Sequence, residues 1–238
     1  MHLFLADDTH GDYARLSVEE SKHCVRVLRM GCGDEVWVTS GDGVMCRARI
    51  SDPDEKACEV EIVERIADYQ RRPFHLHIAV APTKNTARLE WFVEKAVEMG
   101  IDRITPVLCD HSERGSQKTD RLEKIALSAM KQSLKACRPV IDSPIRLLDF
   151  LEQTDMEARE QQRFVCYCSG DERHTLHQLY TPCNDALVLI GPEGDFSERE
   201  ITTALQCGFL PVTLGCCRLR TETAALYATA ALNFMCEQ

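Results

Sequence analysis

No stretch of this 238-residue chain approaches the roughly 20 consecutive apolar residues of a membrane span. The first ten residues lack a basic segment, and Asp7 and Asp8 stand where a signal peptide is apolar. A soluble, cytoplasmic protein that does not engage a membrane is the expectation. The familiar phosphate-binding signatures are also missing: there is no G-x-x-x-x-G-K-[ST] loop and no G-x-G-x-x-G after a strand. H-E-x-x-H and G-x-S-x-G are absent as well, which removes the zinc-protease helix and the hydrolase nucleophile elbow.

Cysteine is plentiful, with 13 residues, but the spacing that would give it a metal or a disulfide framework is lacking. The number is odd and no pair is spaced C-x-x-C. Cys216 and Cys217 are adjacent, where a mutual disulfide would be strained. Cys166 and Cys168 alternate with Val165 and Tyr167 on a strand and would share one face. Reduced thiols acting as small hydrophobes account for this usage. The histidines are scattered, His75 and His77 on a strand and His174 and His177 three apart, with no carboxylate partner evident. No metal site is expected.

Positive charge is in short supply overall, the net charge being −10. It is concentrated locally. From Arg114 to Arg138 lie Lys118, Arg121, Lys124, Lys131 and Lys135, against only Asp120 and Glu123. A second cluster holds Lys22, His23, Arg26 and Arg29. Either is a solvated helix face or a phosphate-binding face, since phosphate contacts answer to local potential rather than to net charge.

The pattern of elements changes near Gln70, Arg71, Arg72 and Pro73. Before that point Val36–Thr39, Val44–Ile50 and Cys58–Glu64 read as strands, and Gly41-Asp42-Gly43 suits a hairpin. After it, strands alternate with helices, which predicts a largely parallel sheet covered by helices. Phe74–Ala81, Ile104–Leu108, Arg163–Cys168, Ala186–Ile190 and Leu210–Leu214 are the strands. Leu89, Phe92, Val93, Ala96 and Val97 form one helical stripe ended by Gly100. Asp120–Ala136 reads as a basic amphipathic helix with Thr119 as its N-cap. Ser197-Glu198-Arg199-Glu200 has the form of a capping box, and Thr221–Met235 is an alanine-rich terminal helix.

Two segments stand out chemically. Leu187 to Phe196 carries a buried strand into the turn Gly191-Pro192-Glu193-Gly194, ahead of the capped helix. Leu214 to Ala224 repeats the plan: strand, Gly215, polar turn, helix start. Glycine at the end of a parallel strand lets the backbone approach a ligand, and such strand ends are where open α/β sheets bind them. Two neighbouring turns would make one pocket with Arg220 and Glu222 at its rim. The amides opening the last helix would favour a carboxylate or another anion there.

These two turns, G-P-E-G and L-G…L-R-T-E-T-A, resemble the ribosomal RNA small subunit methyltransferase E family of the SPOUT superfamily. The resemblance runs the length of the chain. It takes in Lys22 to Arg29 followed by Gly33-Asp34, Glu90 to Gly100 with Pro106, His111-Ser112-Glu113-Arg114, and Ala129 to Ser133. It implies an α/β protein: an N-terminal PUA-like β-barrel over residues 1–72, then a SPOUT methyltransferase domain over 73–238. A deep trefoil knot would lie within about 186–238.

The implied cofactor is S-adenosylmethionine, held by Leu189, Gly191, Glu193 and Gly194 of the first turn. Leu214, Gly215, Leu219 and Thr223 would hold it from the second. The implied reaction is methylation of N3 of a uridine in 16S ribosomal RNA of the small subunit or its precursor, by a homodimer. Arg220 would stabilise the uridinate, and Glu222 would act as base or orient Arg220. RNA contacts would fall to Lys22, Arg26, Arg29, Arg114 and Lys131. Another RNA base, or a non-catalytic assembly factor on the same scaffold, are the rival readings. The chain departs from the family pattern at Asp195, where a second glycine is usual, at Cys217-Arg218, and at Lys135 to Arg138.

Overall fold

The computed structural model describes residues 2–112, 119–156, 161–167 and 174–237. The chain divides into two compact units, one of Met1–Arg71 with Leu127–Arg138, the other of Arg72–Ala126 with Pro139–Gln238.

The first unit is built on a five-stranded sheet. Its strands are β1 (Leu3–Leu5), β2 (Tyr13–Arg15), β3 (Glu35–Thr39), β4 (Met45–Asp52) and β5 (Glu59–Ile66), in the order β1-β3-β4-β5-β2. Gly41 and Gly43, both at positive φ, turn β3 into its antiparallel partner β4, as the sequence predicts. An antiparallel bridge from Ala6 to Leu16 ties the ends of the two edge strands, so the sheet curls upon itself. Phe4, Leu16, Val36, Val38, Ile50 and Val60 fill the interior. Strands β1 and β2 were beyond reach of periodicity, because three residues carry too little pattern.

Between β2 and β3 the chain forms α1 (Val18–Lys22), capped by the Ser17 hydroxyl, and runs on into a π-helical turn, His23–Val27. The buried edge of this segment, Ser21 and Cys24, packs inward. Lys22, His23, Arg26 and Arg29 are all exposed.

The second unit carries a parallel sheet. From edge to edge the strands are β11 (His174–Thr175), β13 (Leu210–Thr213), β10 (Gln162–Cys166), β12 (Ala186–Ile190), β6 (Leu76–Val80), β7 (Arg103–Leu108) and β8 (Val140–Ile141). The short β9 (Ile145–Arg146) also pairs with β7. Strands β6 and β12 are buried at every residue, as expected of the middle of a sheet covered on both faces. Helix α2 (Thr86–Met99) buries the five stripe residues predicted for it and stops at Gly100, whose φ is 101°. Helices α4 (Leu147–Met156), α5 (Leu176–Leu179), α6 (Glu198–Gln206) and α7 (Thr221–Cys236) complete the unit. The capping box on α6 is present in both directions between Ser197 and Glu200.

Helix α3 (Thr119–Gln132) ends earlier than the expected Ala136, and Thr119 lies within it rather than capping it. The Ser133 hydroxyl donates back to the Ala129 carbonyl (2.7 Å), and Leu134 then turns left-handed at φ 55°. The helix therefore stops, and Ala136 packs with Leu3 and Met45 in the first unit.

Lys131 sits in this stretch and is paired with the buried Glu20 of α1. Removing one member of such a pair leaves an uncompensated buried charge. Lys131→Met should lower unfolding stability by about 3 kcal/mol, and Lys131→Met with Glu20→Leu should recover most of it. Urea denaturation of the three proteins decides: equal midpoints for the single and double variants would remove the pair from the fold's support.

Candidate functional site

Strands β10, β12 and β13 lie side by side and parallel, so their carboxyl ends open on the same edge of the sheet. A cavity of about 800 Å³ occupies that edge. Cys166 and Tyr167 enter it from β10, Ile190 to Asp195 from β12, and Val212 to Thr221 from β13 and the turn beyond. The two turns singled out in the sequence are thus brought together. The hydroxyl of the buried Thr221 donates to the carbonyl of Gly191 (3.0 Å) and fastens one to the other.

The glycines serve different ends. A Cβ on Gly191 would stand 2.9 Å from the Phe196 ring, so the first turn closes only because that atom is missing. At Gly194 a Cβ would lie 3.1 Å from Cβ of His111, whose ring Nδ1 meets the carbonyls of Gly194 and Asp195 (3.2 and 3.1 Å). Gly215 has open space around it but a φ of 119°, so its constraint is backbone conformation. Asp195 takes up a left-handed φ of 60° and accepts a hydrogen bond from the amide of Phe196 (2.9 Å). Asp is one of the few side chains at home in that region, which explains how it stands where the family pattern has glycine.

Gly191, Glu193, Gly194, Leu214, Gly215, Leu219 and Arg220 all line the cavity. Three expected residues do not. Leu189 points into the core beside Val165 and Leu187, because alternate residues of a strand face opposite ways. Thr223 is exposed, on the solvent side of α7. Glu222 is buried behind the wall, and its cationic neighbour is Arg88 of α2 rather than Arg220, with Nε to Oε1 at 3.7 Å. Arg88 also reaches Glu193, Nη1 to Oε1 at 3.9 Å. Nothing local in the sequence singles out Arg88, since its two partners lie more than a hundred residues away. Cys166 and Tyr167 were findable, being the end of a strand already read as such.

Arg220 is the N-cap residue of α7 and is exposed. Among the described residues it has no ion-pair partner. Its guanidinium is therefore available at the cavity mouth, next to the first amides of a 16-residue helix. Four of the five expected RNA contacts lie in the first unit: Lys22, Arg26 and Arg29 are exposed, and Arg26 approaches Glu55 at 3.5 Å. Lys131 is engaged with Glu20. Arg114 and Cys168 lie outside the described residues. Among the described residues no group of three or more His, Cys, Asp or Glu is placed to hold a metal ion. No described helix is long and apolar enough to cross a membrane. Every described cysteine is a free thiol.

Comparison with known proteins agrees with this geometry. The model of an RNA methyltransferase domain matches residues 70–233, and that of an RNA methyltransferase PUA domain matches residues 16–63. The class defined by fold and cleft is thus an RNA methyltransferase built from a PUA domain and an α/β domain with a parallel sheet. The ribosomal RNA small subunit methyltransferase E of Mesomycoplasma hyopneumoniae is 33% identical over 179 residues, covering 71% of this chain and 74% of that protein. A crystal structure of a probable rRNA-methyltransferase from Porphyromonas gingivalis is 41% identical, with a TM-score of 0.88 over 99% of this chain and 98% of the other. The ribosomal RNA small subunit methyltransferase E of Neisseria gonorrhoeae, solved bound to S-adenosyl methionine, is 25% identical. Its TM-score is 0.87, over 99% of this chain and 98% of that one. The chain belongs to the ribosomal RNA small subunit methyltransferase E family.

The turn geometry makes a prediction about two neighbouring substitutions. Gly191→Ala forces the Phe196 ring to move and should lower stability by about 1–3 kcal/mol while weakening any cavity ligand. Asp195→Gly should stay within about 1 kcal/mol of wild type, because it relieves a left-handed residue. Thermal unfolding of both variants checks this, and a Gly191→Ala protein as stable as wild type would contradict the packing argument.

Proposed function

We propose that this protein transfers the methyl group of S-adenosylmethionine to N3 of a specific uridine in 16S ribosomal RNA, in the small ribosomal subunit or its precursor. One observation carries the reading: an exposed Arg220, without an ion-pair partner among the described residues, at the mouth of a cavity framed by two glycine turns, in a chain of this family. The cavity is ample for a nucleoside-sized cofactor, and Gly191, Glu193, Gly194, Leu214, Gly215 and Leu219 are the residues that would hold it. When bound, S-adenosylmethionine supplies an electrophilic methyl group on a positively charged sulfur.

The rest falls to the chain's own groups. Neutral uridine carries a proton on N3, and its loss spreads negative charge onto O2 and O4. The guanidinium of Arg220 offers planar N–H donors to that charge as it develops. Glu222, buried behind the cavity wall beside Arg88, backs the site as an orienting charge rather than meeting the base. Holding donor and base in line supplies much of the rate.

In this proposal residues 1–72 are the PUA-like RNA-binding domain and 73–238 the SPOUT methyltransferase domain. The C-terminal segment, within about 186–238, is tied in a trefoil knot. After β12 the chain leaves through α6 to β13 on the far side of β10, then returns so that α7 packs on α2, β6 and β12. This crossing supports the knot, whose threading is proposed from the family. The working form is a cytoplasmic homodimer.

Single-turnover methylation of small-subunit particles, with mass mapping of the product nucleoside, tests the reaction. Methyl transfer to a different base or atom would overturn the N3 assignment, and no transfer would overturn the activity. Arg220→Lys keeps the charge and loses the planar fork, so it should bind donor and RNA normally yet turn over roughly a hundredfold more slowly. A wild-type rate would remove Arg220 from the chemistry.

For RNA binding, Lys22, Arg26 and Arg29 changed together to Ala should flatten the salt dependence by about one unit for each phosphate no longer neutralised. Donor affinity should hold. An unchanged slope would assign that cluster to structure.

A further inference from the structure

Glu222 is in an unusual state for a buried side chain. It is 7% exposed, its Oε2 is buried without any hydrogen-bond partner, and its Oε1 meets Arg88 only at 3.7 Å, beyond hydrogen-bond reach. The other buried carboxylate with an orphan oxygen among the described residues, Glu20, differs: its second oxygen is bound directly by Lys131. An ion pair kept for stability would be closed like that one. Glu222 has instead a cation close by that is too far to satisfy its oxygens. Buried charged groups left in this condition concentrate where chemistry is done.

Arg88 has a second attachment. It projects from the first turns of α2, whose start is fixed by the Asn85 side chain accepting from the Ala87 amide (3.1 Å). From there its Nη1 reaches Glu193, which lines the cavity on the first glycine turn. One guanidinium thus spans Glu193 of the first turn and Glu222 at the start of α7.

Other charges near α7 are committed elsewhere. Glu90 of α2 binds Arg121, Lys95 binds Glu94 and Glu98, and His77 of β6 meets Thr105. Lys84, ahead of α2, is engaged as well. Strand β12 brings no titratable side chain. Helix α5, with His177, lies toward the far end of α7, where Tyr180 touches Cys236. Arg220, at the near end, is exposed. Arg88 is the cation within 4.0 Å of Glu222 among the described residues.

We infer that Arg88 is a positioning residue for methyl transfer: by bridging Glu222 at the start of α7 to Glu193 on the first glycine turn, it holds the two walls of the cavity in register. This rests on the function proposed above and assigns that site a residue outside both glycine turns.

The test uses the full chain as Arg88→Met, Arg88→Lys, Glu222→Gln and the double variant Arg88→Met with Glu222→Gln. Thermal unfolding reads the pairing without reference to activity. Arg88→Met should lower Tm by at least about 3 °C, and adding Glu222→Gln should restore most of it, because no buried charge is then left unpaired. Single-turnover methylation at saturating donor and RNA, on protein fully folded at the assay temperature, reads the positioning. Arg88→Met should be about tenfold slower. Arg88→Lys should stay within about threefold of wild type under the same conditions. In the Glu222→Gln background, Arg88→Met should change the rate no further.

A wild-type rate for Arg88→Met, or rate losses that simply add in the double variant, would overturn the inference and leave Arg88 a structural or RNA-contacting cation. Absence of methyl transfer by the wild-type chain would instead overturn the proposed function, and the thermal cycle alone would then decide whether Arg88 and Glu222 are coupled.

Discussion

The site depends on one hydrogen bond, from the hydroxyl of Thr221 to the carbonyl of Gly191. It joins two turns that follow strands on opposite sides of β10, thirty residues apart in the chain. Both partners are placed by rigid elements: Gly191 leaves β12, buried throughout, and Thr221 opens α7, which packs on α2 and the central strands. Once they are joined, the space between the turns becomes a cavity with walls rather than two separate loops. The bond also brings the first amides of α7 to the cavity's edge, where Arg220 precedes them.

Around that bond the glycines are constrained by three distinct forces. Gly191 yields to an aromatic ring, Gly194 to a neighbouring loop, and Gly215 to its own dihedral. All three protect the shape of the wall before any ligand arrives. The loop carrying His111 shares in this: Asp110 accepts from the Ser197 hydroxyl (2.7 Å), and its amide donates to Glu200 (2.8 Å). The capping box of α6 is thereby tied to the loop after β7, and the first turn is held at both ends.

Much of this was legible locally and the remainder was not. Strand β12, helix α2 and the capping box announce themselves through burial pattern, a five-residue stripe and a four-residue motif, all within one element. The two glycine turns were legible for the same reason, each being a strand end with a helix start close behind. What escaped was set by contacts across the chain. Arg88 matters through Glu193 and Glu222, and no window of sequence contains the three together. The early stop of α3 depends on Ser133 bonding back and Leu134 turning over, against a helical pattern that runs on to Ala136. Lys131 reads as a basic surface residue until the fold places Glu20 beside it.

That last case bears on how an acidic protein can serve an RNA substrate. Net charge treats every arginine alike, but the fold commits most of those on the first unit internally. Arg15 pairs with Glu59, Arg47 with Glu35 and Glu64, and Arg49 with Glu35. These pairs neutralise the outer face of the sheet and leave little field there. Lys22 and Arg29, by contrast, are exposed and have no ion-pair partner among the described residues. They sit at either end of a π-helical turn, and Arg29 is held at a left-handed φ of 57°. A backbone conformation unfavourable to an arginine persists where the surrounding structure imposes it. Here it sets the direction in which the Arg29 side chain leaves the backbone. The net charge of −10 therefore sets the protein's long-range behaviour, while on the described part of the first unit the charge available to a phosphate lies with side chains such as Lys22 and Arg29 that the fold has left unmatched.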